Sequence, residues 1–387
     1  MAHSTILPST LQSLLFSHDD FSSNFFRKPT ERELEFMSYF QTIQTLLSFD
    51  ERMQLSQHHT VGRIGYDLLS IFGILILKLH YHQRTMKDTL LLLEENMNLR
   101  DILGLNQAPS EASMSRLSRR VESIVSISSM HERLIGLYTK GMERVIGHLS
   151  IDSTTIEARE KPYRKSKEAQ KQPEPPKKRG RKPKGSPEQQ EYLERIAKEE
   201  ETRRHYLAEP PERSIAELEV RCSMTAKQNS KGKRQWFIGY KVHLAADDFG
   251  VPISVVVTGA CVHDSKVAVP LLKMANQRTQ YLYILLDKGY ISPTINAYAD
   301  LIERKVIIDR KGYKGVSPIP LEPAYAQRYK ARTTVERTNG ELKDGFLPDK
   351  IYKRGSQARY EIELAILLTT IKKVSTMLLL KEQSTAA

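Results

Sequence analysis

Apolar residues recur at three- and four-residue spacing through residues 34–56 and again through 66–82, the repeat of helices with a buried face. Gly62 and Gly65 separate the two runs. Asp88 is placed to cap a third helix through Leu90–Leu93 that closes at Ile102–Gly104. After the polar break Asn106–Pro109, Ser110 caps a further helix with a basic face of Arg116, Arg119 and Arg120, and residues 130–146 continue as helix. No strand-like alternation precedes residue 147, so residues 1–145 read as an all-helical domain. The stretch Leu68–Leu79 is apolar but contains Lys78; at about 12 residues it is too short for a bilayer, which needs about 20, and it reads as a buried helix.

The pattern then changes. VIGHLSID, rich in β-branched residues, reads as a strand ending on Asp152. Residues 159–233 are rich in Lys, Arg, Glu, Gln and Pro; they read as a basic, flexible insertion, with a charged helix over 187–204. QWFIGYKVHLAAD alternates, Phe249–Gly250 turns, and VPISVVVTGA returns as the second arm of a hairpin. Helix 265–278 with Ser265 and Asp264 at its start, the buried strand YLYILLD, helix Ile295–Arg304, the strand KVIIDRK and a helix from Ala324 to the end follow. A hairpin followed by βα units gives a mixed five-stranded sheet with helices on both faces over residues 146–380, interrupted by the insertion.

Of the 387 residues, 40% are hydrophobic and 27% charged, as in soluble globular proteins. The 59 Lys and Arg exceed the 46 Asp and Glu, giving a formal charge of +13, which favours a polyanionic partner such as nucleic acid. Cys222 and Cys261 form no metal-binding or disulfide pattern, and no N-terminal signal pattern is visible, so a reducing, cytoplasmic setting is expected.

Candidate chemistry rests on acids. Asp152 and Asp287 each read as ending a strand, and groups beyond the carboxyl ends of strands in an open α/β sheet face a cleft. Taken alone, either is as well explained as a cap or turn residue. In YKARTTVERTNGELK, Tyr329, Arg332, Glu336 and Lys343 fall within roughly 60° of one another on a helix at about 100° per residue, with Val335 and Leu342 on a separate, buried stripe. Arg332 and Glu336 are also i, i+4 neighbours that a solvated face would pair. Glu341 lies about 140° round the helix from Glu336 and is set aside as a third ligand. Glu157 is a weaker rival near Asp152, Asp247 and Asp248 belong to the hairpin turn, His263 reads as structural, and Trp236 reads as a packed strand aromatic.

These pieces together resemble the DDE transposases of bacterial insertion sequences that bear a Y-R-E-K signature. IDSTTIEA, GYKVHLAADDFGVPISVVVTGACVHDSK, LLDKGYIS and YKARTTVERTNGELK stand in the family's order, and GRIGYDLLSIFGILILKLHYHQRTMKDTLLLLEENMNLRDILGL is similar to its helical front domain. The resemblance implies an RNase H-like catalytic domain with Asp152, Asp287 and Glu336 as the metal-binding catalytic triad. Three hard-oxygen ligands suit Mg²⁺, with Mn²⁺ able to substitute. It implies cleavage at transposon ends by water and then attack of the freed 3′-OH on target DNA, through two-metal phosphodiester chemistry. Tyr329, Arg332 and Lys343 would contact the DNA backbone. Terminal inverted repeats and target DNA are the implied partners, and a homodimer on DNA the implied assembly. The tract KKRGRKPKG, with Arg179 and Arg181, is similar to minor-groove hooks. Two other readings stay open: a catalytically silent DNA-binding descendant, and a metal-dependent nuclease.

Overall fold

The computed structural model describes residues 27–56, 65–142, 146–163, 183–228, 232–309 and 320–386. Among the described residues the front region is all helical: α1 Glu31–Leu46, α2 Phe49–Leu55, α3 Leu68–His80, α4 Met86–Glu95, α5 Met97–Ile102, α6 Glu111–Ile124 and α7 Ile127–Met142. The run read as one helix over 34–56 divides because Ser48 opens a new capping box with Glu51. Asp88 is not the cap of α4. Thr85 is, and the Asp88 carboxylate accepts the Thr85 N–H at 3.1 Å from the third helical position. Helix α3 is largely apolar and buried on nearly every side, Lys78 and His80 included.

The second region contains β1 Ile146–Ala158, α8 Pro187–Ala208, α9 Pro211–Ala216, β2 Ser223–Gln228, β3 Arg234–Ala246 and β4 Pro252–Gly259. It continues with α10 Asp264–Arg278, β5 Tyr281–Leu286, α11 Pro293–Leu301, β6 Lys305–Ile308, α12 Pro323–Tyr329, a 3₁₀ turn Lys330–Arg332, α13 Thr333–Gly345, β7 Lys350–Ile351 and α14 Gly355–Ala386. The strands form one seven-stranded sheet in the order β2-β3-β1-β5-β6, with β4 also paired to β3 and β7 to β1. β1 runs antiparallel to β3 and parallel to β5, which is parallel to β6. The five strands expected from the pattern are all present, and β2 and β7 extend them. β7 has two residues and carries no readable period, and β2 lies inside the segment 159–233 that composition marked as an insertion.

Successive residues of a strand face opposite sides of the sheet. Asp152 is held by Asn339 of α13, and its neighbour Ser153 by Asp264 of α10, so these two helices cover opposite faces. One continuous apolar cluster runs from Phe36 of α1 through the sheet to Val374 of α14. Asp247 and Asp248 do sit at the β3–β4 turn, and each also ties other elements in. Asp247 accepts the Tyr138 hydroxyl at 2.6 Å, and Asp248 accepts the backbone N–H of Gly147 at 2.9 Å.

Gly250 in that turn has φ +79, and a Cβ there would stand 2.6 Å from Thr338 Oγ1 of α13. Gly250→Ala combines left-handed strain with this clash and is expected to cost about 1–3 kcal/mol of stability. Urea unfolding checks it; an unshifted midpoint counts against it.

Candidate active site

β1 does not stop at Asp152. Ser153, Thr154, Thr155 and Ile156 keep the strand going, and pairing with β3 continues to Glu157 opposite Gly239. Asp152 is therefore a mid-strand residue. What exposes it is the end of its neighbour: β5 stops at Leu286, opposite Ile151. Asp287, with φ −75 and ψ 163, extends β5 by one residue beside Asp152. Adjacent strands lie roughly 4.8 Å apart, and residues in register share a face, so the two carboxylates start from neighbouring points on one side of the sheet. One Asp287 oxygen accepts the Lys288 N–H at 2.6 Å and caps the short turn that follows.

The third acid arrives from the helix above. The stretch read as one helix from Ala324 is α12, a 3₁₀ turn and α13, so Tyr329 and Arg332 precede the helix that carries Glu336 and Lys343. The 3₁₀ turn keeps Arg332 over Asp152. Its Nη1 is 3.8 Å from Asp152 Oδ1, while Nη2 pairs with Glu336. Asn339, one turn further along α13, donates to the other Asp152 oxygen at 2.9 Å. The Tyr329 hydroxyl donates to the Leu286 carbonyl at 3.2 Å, fastening α12 to the end of β5 immediately before Asp287.

Burial raises the pKa of Asp152 above the usual carboxylate range; its bond to the Ser153 backbone, the Arg332 charge and the Asn339 bond oppose the rise, and the Glu336 charge adds to it. The Arg332 guanidinium, approached by both acids, links Glu336 to Asp152.

Lys227 of β2 was not found by sequence reading, because SMTAKQ is short and mostly polar. Its ammonium pKa is lowered, first by desolvation and then by Lys343 and Lys241, while Asp264 and Asp152 act the other way. In register with Thr155, Lys241 lies on the Ser153 face of the sheet, and Lys227 shares that face through the pairing of β2 with β3. Asp264 belongs to this same face, opposite Asp152. It accepts Ser153 Oγ at 2.9 Å and Lys241 Nζ at 3.0 Å. Burial raises its pKa, but the Lys241 charge and hydrogen bond, His243 and Ser153 outweigh that and leave it lowered. Neither Asp264 nor Ser265 caps α10: His263 does, its ring nitrogen accepting the Ser265 N–H at 3.3 Å.

Other expectations resolve as follows. Trp236 is 62% exposed rather than packed, because β2 and β3 extend past the covered part of the sheet. Glu341 turns away to Lys373 at 2.7 Å, and Glu157 pairs with Lys350 at 3.5 Å. Arg179 and Arg181 lie outside the described residues.

Among the described residues no three acid, imidazole or thiol groups are grouped as a ready metal cage. The donor set nevertheless fits a hard divalent cation in kind: carboxylate oxygens of Asp152 and Asp287 on one sheet face and of Glu336 above it. The guanidinium of Arg332 supplies positive charge between two of them.

A mixed sheet with antiparallel β4-β3-β1 and parallel β1-β5-β6, covered by helices and preceded by an all-helical region, defines an RNase H-like α/β protein. The chain belongs to the transposase DDE domain family, which matches residues 143–371. Residues 30–120, within the helical region, match the transposase domain (DUF772). A comparison with curated proteins finds no match.

Proposed function

We propose that this transposase cuts DNA at the ends of its own mobile element and joins the freed ends to target DNA, using Asp152, Asp287 and Glu336 as its catalytic carboxylates. The observation that carries this reading is the meeting of Asp152 and Asp287 on neighbouring parallel strands beneath the helix that bears Glu336.

Mg²⁺, or Mn²⁺ in its place, bound by these three side chains would supply charge neutralisation at the attacking and leaving oxygens. Asn339 orients one oxygen of Asp152. Tyr329 fixes the end of β5 and hence the start of Asp287. Arg332 offers a planar fork for a backbone phosphate, and Lys343, further along α13, offers a point charge. The chemistry passes from water to a DNA 3′-hydroxyl without a covalent protein intermediate, so no Ser or Tyr nucleophile is assigned. Two ends must be processed together, which makes a homodimer on DNA the working assembly. No helix among the described residues is long and apolar enough to cross a membrane.

The helical region supplies a second basic surface. On α6, Met114, Ser118 and Val121 are buried, whereas Arg116, Arg119 and Arg120 are exposed. Arg119 shares a cleft of about 1110 Å³ with Arg354 and Arg359 of the catalytic region. Replacing Arg116, Arg119 and Arg120 with Ala is expected to flatten the log–log salt dependence of DNA binding by about 2–3, each lost phosphate contact contributing about 0.9. Fluorescence anisotropy across a salt series measures this, and an unchanged slope removes α6 from the DNA surface.

Incubating the protein with Mg²⁺ and duplexes carrying the element's ends tests the whole reading. Strand transfer supports it, nicking alone indicates a nuclease, and binding alone indicates a silent descendant. Short inverted repeats flanking the gene are expected.

A further inference from the structure

We infer that Arg332 is a latch: in the DNA-free protein it holds Asp152 and Glu336 against cation binding, and a DNA phosphate releases them by taking the guanidinium. The inference rests on the proposed roles of those two acids.

Four observations carry it. Arg332 is engaged by both acids at once, through Nη2 to Glu336 and with Nη1 3.8 Å from Asp152. The side chain is only 16% exposed, so the positive charge sits inside the site rather than over it. Nη1 is buried without a hydrogen-bond partner. A good guanidinium–carboxylate bond spans about 2.7–2.9 Å, so the approach to Asp152 is an attraction that falls short of a bond. Finally, Arg332 belongs to a 3₁₀ turn between two helices, where a side chain can be re-aimed without unwinding either.

A guanidinium cannot lose its proton in a protein. While it stays between the two acids, an arriving dication meets a fixed positive charge and two carboxylates already engaged. A backbone phosphate offers Arg332 what it lacks here, two oxygens spaced for its fork. Transfer of the fork to phosphate leaves Asp152 and Glu336 free to ligate. Asn339 keeps Asp152 in place during the exchange. DNA and cation then favour each other's binding, and linkage requires that this coupling be reciprocal. A transposase built this way gathers its cations only on a bound end, so it does not cut DNA indiscriminately.

The test is Mn²⁺ binding by the full-length protein without DNA, followed by calorimetry and by the loss of the free-ion electron-resonance signal. Arg332→Ala is expected to bind Mn²⁺ at least about tenfold more tightly than the wild type, since a positive charge lodged between the two acids is removed. Arg332→Gln, which retains most of the side-chain volume, should behave like Arg332→Ala and guards against a folding defect. Arg332→Lys keeps the charge and should stay close to wild type. Unchanged or weaker binding by both neutral variants, with thermal melts intact, overturns the latch. Asp152→Asn and Glu336→Gln separate the two levels. If each loses Mn²⁺ while Arg332→Ala gains none, the latch fails and the active-site assignment survives. If neither acid substitution weakens Mn²⁺ binding when combined with Arg332→Ala, both fail.

Discussion

Asp152→Asn is expected to leave DNA binding within a few-fold of wild type and to slow end cleavage by roughly 10³-fold or more, the scale seen when a preorganised electrostatic group at a reacting centre is removed. The substitution is nearly isosteric. It leaves the backbone pairing of β1 with β3 and β5 untouched and removes one negative charge from the middle of the sheet. Burial raises the Asp152 pKa and Glu336 adds to the rise. Only Arg332, Asn339 and a backbone bond favour its ionised form, so a bound dication would complete its environment. Glu341→Gln is the control on the same helix: it breaks an ion pair with Lys373 and should change cleavage less than about threefold, as surface pairs are weak. Single-turnover cleavage beside anisotropy binding separates chemistry from affinity. Near-wild-type cleavage by Asp152→Asn would dismiss it as a catalytic residue.

The same site shows what could be read from the sequence and what could not. Asp287 was legible because YLYILL is a continuous apolar run that reads as a strand ending at its first acid; four of its six residues are buried, while Leu282 is exposed. Asp152 was legible as a residue but misplaced within its strand. β1 gains its last residues from pairing with β3, and a pairing partner more than 80 positions away leaves no local signal. On the helix of Glu336, Val335 and Leu342 are buried as the separate stripe predicted. Its division by a 3₁₀ turn was hidden, since YKAR fits either helix type and the choice is made by contacts of Tyr329 and Arg332 with β5 and β1. Lys227 was lost because composition marked its whole neighbourhood as insertion. Only the hydrogen-bonding edge of β3 gives Ser223–Gln228 a strand to join. Trp236 was misread for the complementary reason. Alternation reports which face a residue takes, not whether anything covers that face.

Lys78→Met should be among the most destabilising single changes in the helical region, at about 3–5 kcal/mol. Lys78 Nζ of α3 meets Glu361 Oε1 of α14 at 2.6 Å, and both side chains are 5% exposed. The partners are 283 positions apart, one in each half of the chain. Removing the ammonium leaves a carboxylate in the core near Lys353, which is half-buried and whose pKa is lowered, first by desolvation. An unpaired buried charge, not the lost attraction, sets the size of the effect. Lys78→Met combined with Glu361→Leu should therefore recover most of the loss, because an apolar pair of similar volume suits the surroundings of Ile74, Leu77, Ile362 and Ala365. Helix α14 also packs on α13, the helix carrying Glu336. Urea unfolding followed by both circular dichroism and Trp236 fluorescence checks this. The single variant should lower the midpoint for both probes together, and the double variant should restore it. A single variant that costs under about 1 kcal/mol, or a double variant no better than the single, would show that the buried pair does not couple the helical region to the catalytic sheet.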